Sequence, residues 1–171
     1  MTTMATKGAA VVTLPTDTEI LITREFDAPK HLVYKAYTTP ELVRQWWSGR
    51  RGKVTLAEID LRVSGRWRYV MVANRGFEVA FNGEFREIVP NERIVTTEVY
   101  EGAPKSPEMA NEEVVNVVTF IDIGGRTRLE VLVRCTSKAL RDMIINSGME
   151  GGMQEAYESL EEVAKSLVVA R

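Results

Sequence analysis

The residue types that most often carry chemistry are scarce in this chain, which has one histidine and one cysteine among 171 residues. Catalysis by a serine or cysteine nucleophile commonly needs a neighbouring imidazole, and structural zinc sites need several Cys or His ligands. His31 lies off the apolar stripe of a predicted helix, whereas Cys135 lies on the apolar face of a predicted strand. We therefore expect an exposed histidine, a buried thiol, no metal site and no cofactor, and we assign no catalytic residue.

Four carboxylates fall nearest the interior of the predicted sheet: Asp60, Glu84, Glu87 and Glu98. A carboxyl group that is buried in an apolar site has a raised pKa and can act as a general acid or base. The alternative, which we expect here, is that these side chains face solvent or pair with arginines on neighbouring strands. The arginines available for such pairs are Arg62, Arg66, Arg68 and Arg86.

A larger set of aromatic, methionine and aliphatic residues has the composition of an apolar ligand pocket with few polar groups. Trp67, Tyr69 and Met71 alternate along one predicted strand, and two methionines and a tyrosine recur at helical spacing in the last predicted helix. The same residues could instead fill a solid core, and both alternatives stay open. The predicted ligand-binding residues are Trp46, Trp67, Tyr69, Met71, Phe81, Phe85, Thr97, Val117, Val131, Met149, Met153 and Tyr157.

The elements that would position these residues follow from the hydrophobic period along the chain. A strand at Glu19–Phe26 is followed by two short helices, the second from Pro40 to Trp47. A period of two then predicts six strands, at Lys53–Asp60, Gly65–Val72, Phe77–Ile88, Glu92–Glu101, Glu113–Asp122 and Arg126–Cys135. A short helix near Ala139–Asn146 precedes the long last helix. We predict an α+β helix-grip fold, in which a curved antiparallel sheet of about seven strands wraps around that long C-terminal helix.

The last helix, from Gly148 to about Val168, has two unusual features. Gly151 and Gly152 lie in its first turn, where each costs about 1 kcal/mol of helix stability relative to Ala. They indicate a bend, or a backbone that passes close to another surface. Glu161 and Lys165 have the i,i+4 spacing of a favourable ion pair, which we expect on the polar face of the helix.

Composition limits the remaining classes of function. The net charge is 22 minus 24, or −2, which argues against nucleic acid even though Arg44, Arg50, Arg51 and Lys53 surround Trp46-Trp47. No apolar run is long enough to predict a membrane span. We expect a flexible lead-in at 1–18, a single domain at 19–171 with its most loop-like internal stretch at Gly102–Asn111, and a cytoplasmic location, because one cysteine cannot form an intrachain disulfide.

Five segments resemble those of a known family, in its order: FDAPKHLVYKAYTTPELVRQWW, IDLRVSGRWRY, NGEFREIVPNERIVTTEVY, TFIDIGGRTRLEVLV and GMEGGMQEAYESLEEV. The family is the activator of heat-shock protein 90 ATPase homologue family, within the SRPBCC (START-like, birch-pollen-allergen-like) superfamily. The resemblance covers roughly Glu19 to Leu167. It implies a deep apolar cavity between the sheet and the C-terminal helix, without a fixed set of catalytic residues.

The members of that superfamily differ in function, so the resemblance leaves three alternatives. The first is a domain that binds an apolar or aromatic small molecule and catalyses no reaction. The second is an enzyme of the polyketide cyclase or aromatase type, which would use a cavity carboxylate or a hydroxyl group such as that of Thr97, Thr119 or Tyr157. The third is an interaction domain with a chaperone partner, in which the outer surface carries the function.

Overall fold

The computed structural model describes residues 8–102 and 112–169, and the elements below are numbered over those residues. The predicted strand bounds differ from the observed ones by one residue at most. In chain order the elements are β1 Val11–Thr13, β2 Glu19–Phe26, α1 Lys30–Thr38, α2 Pro40–Trp46, β3 Gly52–Ile59, β4 Arg66–Ala73, β5 Glu78–Val89, β6 Arg93–Tyr100, β7 Val114–Asp122, β8 Thr127–Cys135, α3 Lys138–Asn146 and α4 Met149–Val169.

All the strands form one antiparallel sheet in the order β1-β2-β8-β7-β6-β5-β4-β3, which curves without closing into a barrel. Register shifts interrupt the ladder between Val54 and Leu56 on β3, and between Phe85 and Glu87 on β5. Such irregularities bend a strand and increase its twist. The predicted α+β helix-grip fold is confirmed, with eight described strands in place of about seven.

The additional strand, β1, lies within the segment predicted to be a flexible lead-in. It pairs with β2, with Val12 opposite Ile22. Just before it, Ala10 exchanges two hydrogen bonds of 2.9 and 2.8 Å with the side-chain amide of Gln154 on α4. These residues are therefore part of the sheet edge, which differs from the expectation for 1–18. Three residues are too few for alternation to be recognised in a sequence. Residues 1–7 lie outside the described part.

Helices α1 and α2 span the distance between β2, near one edge of the sheet, and β3 at the opposite edge. Pro40 occupies the first turn of α2, where its missing N–H is not needed. The indole Nε1 of Trp46 donates a 2.9 Å hydrogen bond to the carbonyl of Ala36, which ties α2 to α1 inside the core. Both helices also pack against α4. The helices therefore lie together on the concave side of the sheet.

A buried ion pair joins the sheet to α4. Arg24 on β2 is 2% exposed, and its Nη1 lies 3.1 Å from Glu161 Oε2 on α4. The same carboxylate oxygen accepts a 2.9 Å hydrogen bond from the backbone N–H of Asp27, and the Arg24 guanidinium lies 4.6 Å from the centre of the Phe26 ring. Glu161 therefore faces the sheet. The predicted surface pair between Glu161 and Lys165 is wrong, because the inward arginine attracts the carboxylate.

No helix in the described part of the chain is both long enough and apolar enough to cross a bilayer. The predicted loop at Gly102–Asn111 falls almost wholly outside the described residues, apart from Gly102.

Replacing Glu161 with Ala should destabilise the protein by about 3 kcal/mol, because removal of one member of a buried pair leaves the other charge uncompensated. We take the lower end of the usual range because Glu161 is 22% exposed. Urea unfolding measures the change. Glu162→Ala, at an exposed neighbouring position, is the control and should change the stability by no more than about 0.5 kcal/mol. Adding Arg24→Met to Glu161→Ala should recover part of the loss; equal effects of Glu161→Ala and Glu162→Ala would contradict the assignment.

Candidate functional site

A large open cleft lies between the inner face of the sheet and the N-terminal half of α4. Its volume is about 2400 Å³, and it is lined by side chains from the α1–α2 segment, from β4 to β8, from α3 and from α4. Four of its lining residues are apolar and well exposed, and they mark the mouth of the cleft. These are Phe77, Val99, Tyr100 and Met143.

Most of the predicted ligand-binding residues line this one cleft. The ten that do so are Trp46, Trp67, Tyr69, Met71, Phe81, Phe85, Val131, Met149, Met153 and Tyr157. They come from distant parts of the sequence and meet because β4, β5 and β8 present their inner faces towards α4. That these residues contact a ligand stays a prediction.

The other two predicted residues, Thr97 and Val117, do not line the cleft. On β6, Thr96 and Glu98 line the cleft on either side of Thr97, which points away from it. The Oγ1 of Thr97 accepts a 2.9 Å hydrogen bond from the backbone N–H of Glu84. Val117 lies on the outer face of β7, between inward neighbours. Because β7 is apolar on both faces, its sequence alone does not orient it.

Trp67 on β4 is held in place by a hydrogen bond to β6 that passes over the strand between them, β5. Its indole Nε1 donates a 3.2 Å hydrogen bond to the carbonyl of Thr97 on β6, across Gly83 on β5. A Cβ atom at Gly83 would lie 1.9 Å from that carbonyl oxygen and 2.6 Å from Nε1. Glycine is therefore required there. The Trp67 ring contacts Tyr69, with ring centres 4.9 Å apart, and begins a continuous aromatic wall.

Trp47 extends this aromatic wall and is absent from the predicted set. Its ring lies edge-on to Tyr69 and Phe81, with ring centres 5.5 and 5.8 Å apart. The helical spacing of α2 places Trp46 in the core, and Trp47 follows it at the end of the helix, where the chain turns towards β3. Two neighbouring positions of a helix point in different directions, so Trp46 and Trp47 cannot both face the same core. The adjacent tryptophans were therefore the available signal that one of them lies elsewhere.

Besides Tyr100 at the mouth, three phenol groups line the cleft, those of Tyr37, Tyr69 and Tyr157. Burial raises the pKa of each phenol above its ordinary value, so all three are protonated at neutral pH. None has a hydrogen-bond partner in the part of the chain that the structure describes. Each can therefore donate to, or accept from, a molecule in the cleft. Tyr37, which stacks on Trp46 at 5.5 Å, was also missing from the predicted set.

Of the four predicted carboxylates, Glu98 is the one that lines the cleft. Its Oε2 accepts a hydrogen bond from Nδ2 of Asn116 on the adjacent strand β7. Burial raises the pKa of the Glu98 carboxyl group, and the hydrogen bond from Asn116 opposes that shift in part. The expectation of an exposed or ion-paired carboxylate is therefore wrong for Glu98. Glu98 follows the buried Ile94 by four residues on β6, and alternation along a strand places both on the same face. This spacing was the available signal in the sequence.

The other predicted carboxylates behave as expected or lie outside the cleft. Asp60 pairs with Arg62 at 2.8 Å, and Glu87 pairs with Arg93 at 3.5 Å, on the surface. Glu84 does not line the cleft. Two of the four arginines named in the prediction pair with carboxylates that it did not name. These pairs are Arg68 with Glu101, and Arg86 with Glu113.

The first turn of α4 passes directly beneath the segment between α2 and β3. Arg51 Nε lies 2.7 Å from Glu155 Oε2, and a Cβ atom at Gly151 would lie 2.6 Å from Arg51 Nη2. Gly49, with φ +57°, is also closely packed, because a Cβ atom there would lie 2.9 Å from the Cβ of Glu155. The predicted close approach is therefore confirmed at Gly151. These contacts tie α4 to the α2–β3 segment beside the cleft.

His31 and Cys135 lie where the sequence predicts, the first exposed on α1 and the second buried on β8. Within residues 8–102 and 112–169, no cluster of three or more His, Cys, Asp or Glu side chains could hold a metal ion.

A curved antiparallel sheet that grips a C-terminal helix over an open cleft defines the SRPBCC, or START-like, class of proteins. Within this class, the chain belongs to the family described as "Activator of Hsp90 ATPase homolog 1-like protein", whose model matches residues 27–165.

Solved structures from several bacteria share the fold. A protein from Rhodobacter sphaeroides is 22% identical, covering 92% of this chain and 99% of its own, with a TM-score of 0.81. Proteins from Nitrosomonas europaea and Mycobacterium smegmatis are each 22% identical with TM-scores of 0.78; they cover 91% and 90% of this chain, and 99% and 96% of their own. At this identity the likeness shows the fold alone. Comparison with curated proteins gives no match.

The two helix glycines should respond differently to alanine. Gly152→Ala should stabilise the protein by about 0.5–1 kcal/mol, because alanine is the better helix former and the added Cβ meets no atom nearer than Arg51 Nη1 at 3.8 Å. Gly151→Ala should show little net gain, because the guanidinium of Arg51 must move. Thermal and urea unfolding measure both. Adding Arg51→Ala should restore the gain at position 151; a full gain from Gly151→Ala alone would contradict the close approach.

Proposed function

We propose that this protein is a cytoplasmic binding domain for an apolar or aromatic small molecule. The observation that supports this function is the cleft itself, since about 2400 Å³ stays open beneath α4. In a filled core, the side chains of α4 would interdigitate with those of the sheet and leave few voids larger than a water molecule. A cavity that is mostly apolar, with a few converging polar groups, is the usual form of a small-molecule site.

The lining suits ligands with large flat apolar surfaces. Trp67, Tyr69 and Phe81 form an aromatic wall, opposite Met149 and Met153 on α4. Methionine side chains are flexible and polarizable, so they adapt to ligands of different shape and make favourable contacts with aromatic rings. Burying apolar ligand surface there contributes about 25 cal/mol for each Å² removed from water. The few polar groups of the cleft would then set the orientation of the ligand.

A second candidate function is an enzyme of the cyclase or aromatase type. One observation favours it, namely that Glu98 is a cleft carboxyl group whose pKa is raised by burial. Such a group can transfer a proton at near-neutral pH as a general acid or base. Turnover of a polyketide-like substrate by the parent protein, and its loss in Glu98→Gln, would favour the enzyme. The family description refers to activation of the Hsp90 ATPase, and a chaperone partner would be a third role, on the outer surface.

The binding function can be tested with a library of aromatic and lipid molecules and a thermal-shift measurement. A ligand that binds only the folded state, at about 100 times its dissociation constant, stabilises it by about 2.7 kcal/mol. For a chain of this size, the melting temperature should rise by about 5–10 °C. Met153→Trp places an indole within the cleft and should abolish the shift while leaving the protein folded.

Val168→Trp is the matched control, because Val168 is exposed on the same helix and does not line the cleft. It should retain the full shift. If no molecule shifts the parent protein, and Met153→Trp is destabilised by about 1–3 kcal/mol as expected for overpacking, the interior is a core and the proposal is wrong.

A further inference from the structure

No basic side chain of the described residues pairs with Glu98, although arginines are among the residues that line the cleft. The Oε2 of Glu98 is occupied by Asn116, whereas its Oε1 has no hydrogen-bond donor within residues 8–102 and 112–169. No Lys, Arg or His of that part of the chain contributes to its pKa, which is governed by burial and by Asn116. A partly buried carboxylate with one donor and no paired cation is less well stabilised than one with a full set of partners. The free oxygen is therefore a ready acceptor for a group that a ligand supplies.

Three ionisable side chains affected by the charge of Glu98 are themselves neutral. Burial raises the pKa of Tyr37 on α1, of Tyr157 on α4 and of Cys135 on β8, and the charge of Glu98 adds to each shift, as does that of Glu112 at Cys135. Because all three pKa values are raised, these side chains are uncharged at neutral and mildly acidic pH. Asn116 supplies the contact from β7. The surroundings thus hold hydrogen-bonding and aromatic groups without a positive charge.

Two arginines near the cleft, Arg141 and Arg68, are held by other partners. Arg141 on α3 binds the carboxylate of Asp142 at 2.9 Å and the carbonyl of Thr16 at 2.6 Å. At the mouth, Arg68 donates two hydrogen bonds of 2.9 Å to Glu101, and this pairing lowers the pKa of Glu101 to about 2. Neither arginine is therefore available to neutralise Glu98.

We propose that the cleft takes lipophilic amines, and that the ammonium group of such a ligand binds Glu98 while its apolar body lies against the aromatic wall. The inference rests on the proposed function, because it names the ligand class of the same cleft. An ammonium group supplies both the missing donor and the missing charge, and charge-assisted hydrogen bonds are about twice as strong as neutral ones. The rings of Tyr37 and Tyr157 also line the cleft, and aromatic rings attract cations. A hydroxyl group would supply the donor without the charge.

The test compares a naphthylethylamine with the corresponding naphthylethanol by isothermal titration calorimetry. The amine should bind the parent protein about ten- to a hundredfold more tightly than the alcohol, the range for a hydrogen bond to a charged group. Glu98→Gln should remove most of that advantage, because its amide oxygen still accepts a hydrogen bond but carries no charge, and continued binding of the alcohol shows that the variant is folded. Glu87→Gln is the matched control, because Glu87 is exposed on β5 outside the cleft, and it should behave as the parent does.

The pH dependence gives a second readout. The amine binds the ionised form of Glu98, whose pKa is raised in the free protein. Affinity for the amine should therefore fall as the pH is lowered from neutral to mildly acidic, whereas Glu98→Gln should show no such fall. His31 is exposed on α1, does not line the cleft and is present in both proteins.

Each other outcome overturns the inference. If the amine and the alcohol bind the parent equally, or the alcohol binds more tightly, the cleft binds apolar molecules but does not select amines. If Glu98→Gln keeps the full preference for the amine, the cation is recognised elsewhere. If neither probe binds, nor any member of the aromatic and lipid library, both the amine inference and the proposed function fail.

Discussion

The structure depends on how α4 is attached along its length. In its C-terminal half, Leu160 and Ala164 are fully buried, and Glu161 makes the ion pair with Arg24 that fixes the helix against β2. In its N-terminal half, Met149 and Met153 are only partly buried, because they line the open cleft. Contacts from the α2–β3 segment hold that end of the helix from the side. One helix therefore closes the core at one end and roofs an open cleft at the other.

Two carboxylates of the inner side differ in how far their charge is compensated within the protein. Glu161 has Arg24 and a backbone N–H as partners, so its charge is compensated within the protein. Glu98 has one amide donor and no cation within the described residues. A protein that needed only stability would do as well or better with an apolar residue there, because burying a carboxyl group costs free energy. The position of Glu98 is therefore not explained by the stability of the fold alone.

The sequence predicted the fold more completely than the site, for a physical reason. Strict alternation fixed β2 and β8, where one face is buried and the other is polar, and glycine and proline marked the turns between strands. Val117 was misplaced because β7 is apolar on both faces, so the neighbouring strands decide which face turns inwards. On β6, Thr97 was predicted to bind a ligand and Glu98 to face solvent or pair with an arginine, whereas Glu98 lines the cleft and Thr97 does not. Since successive residues of a strand face opposite sides, an error of one residue replaces a carboxylate with a hydroxyl group.

The same constraint explains why the shared fold does not determine the chemistry of the cleft. The solved relatives are about one-fifth identical in sequence and yet superpose over nearly their whole length. What such distant chains must retain is the alternation of buried and exposed positions and the apolar stripe of the last helix, since these form the core. The residues that line an open cleft are free of that requirement, because no packing partner lies opposite them. Side chains such as Glu98 and Asn116 can therefore differ between members without loss of the fold, so the architecture alone does not determine the chemistry of the cleft.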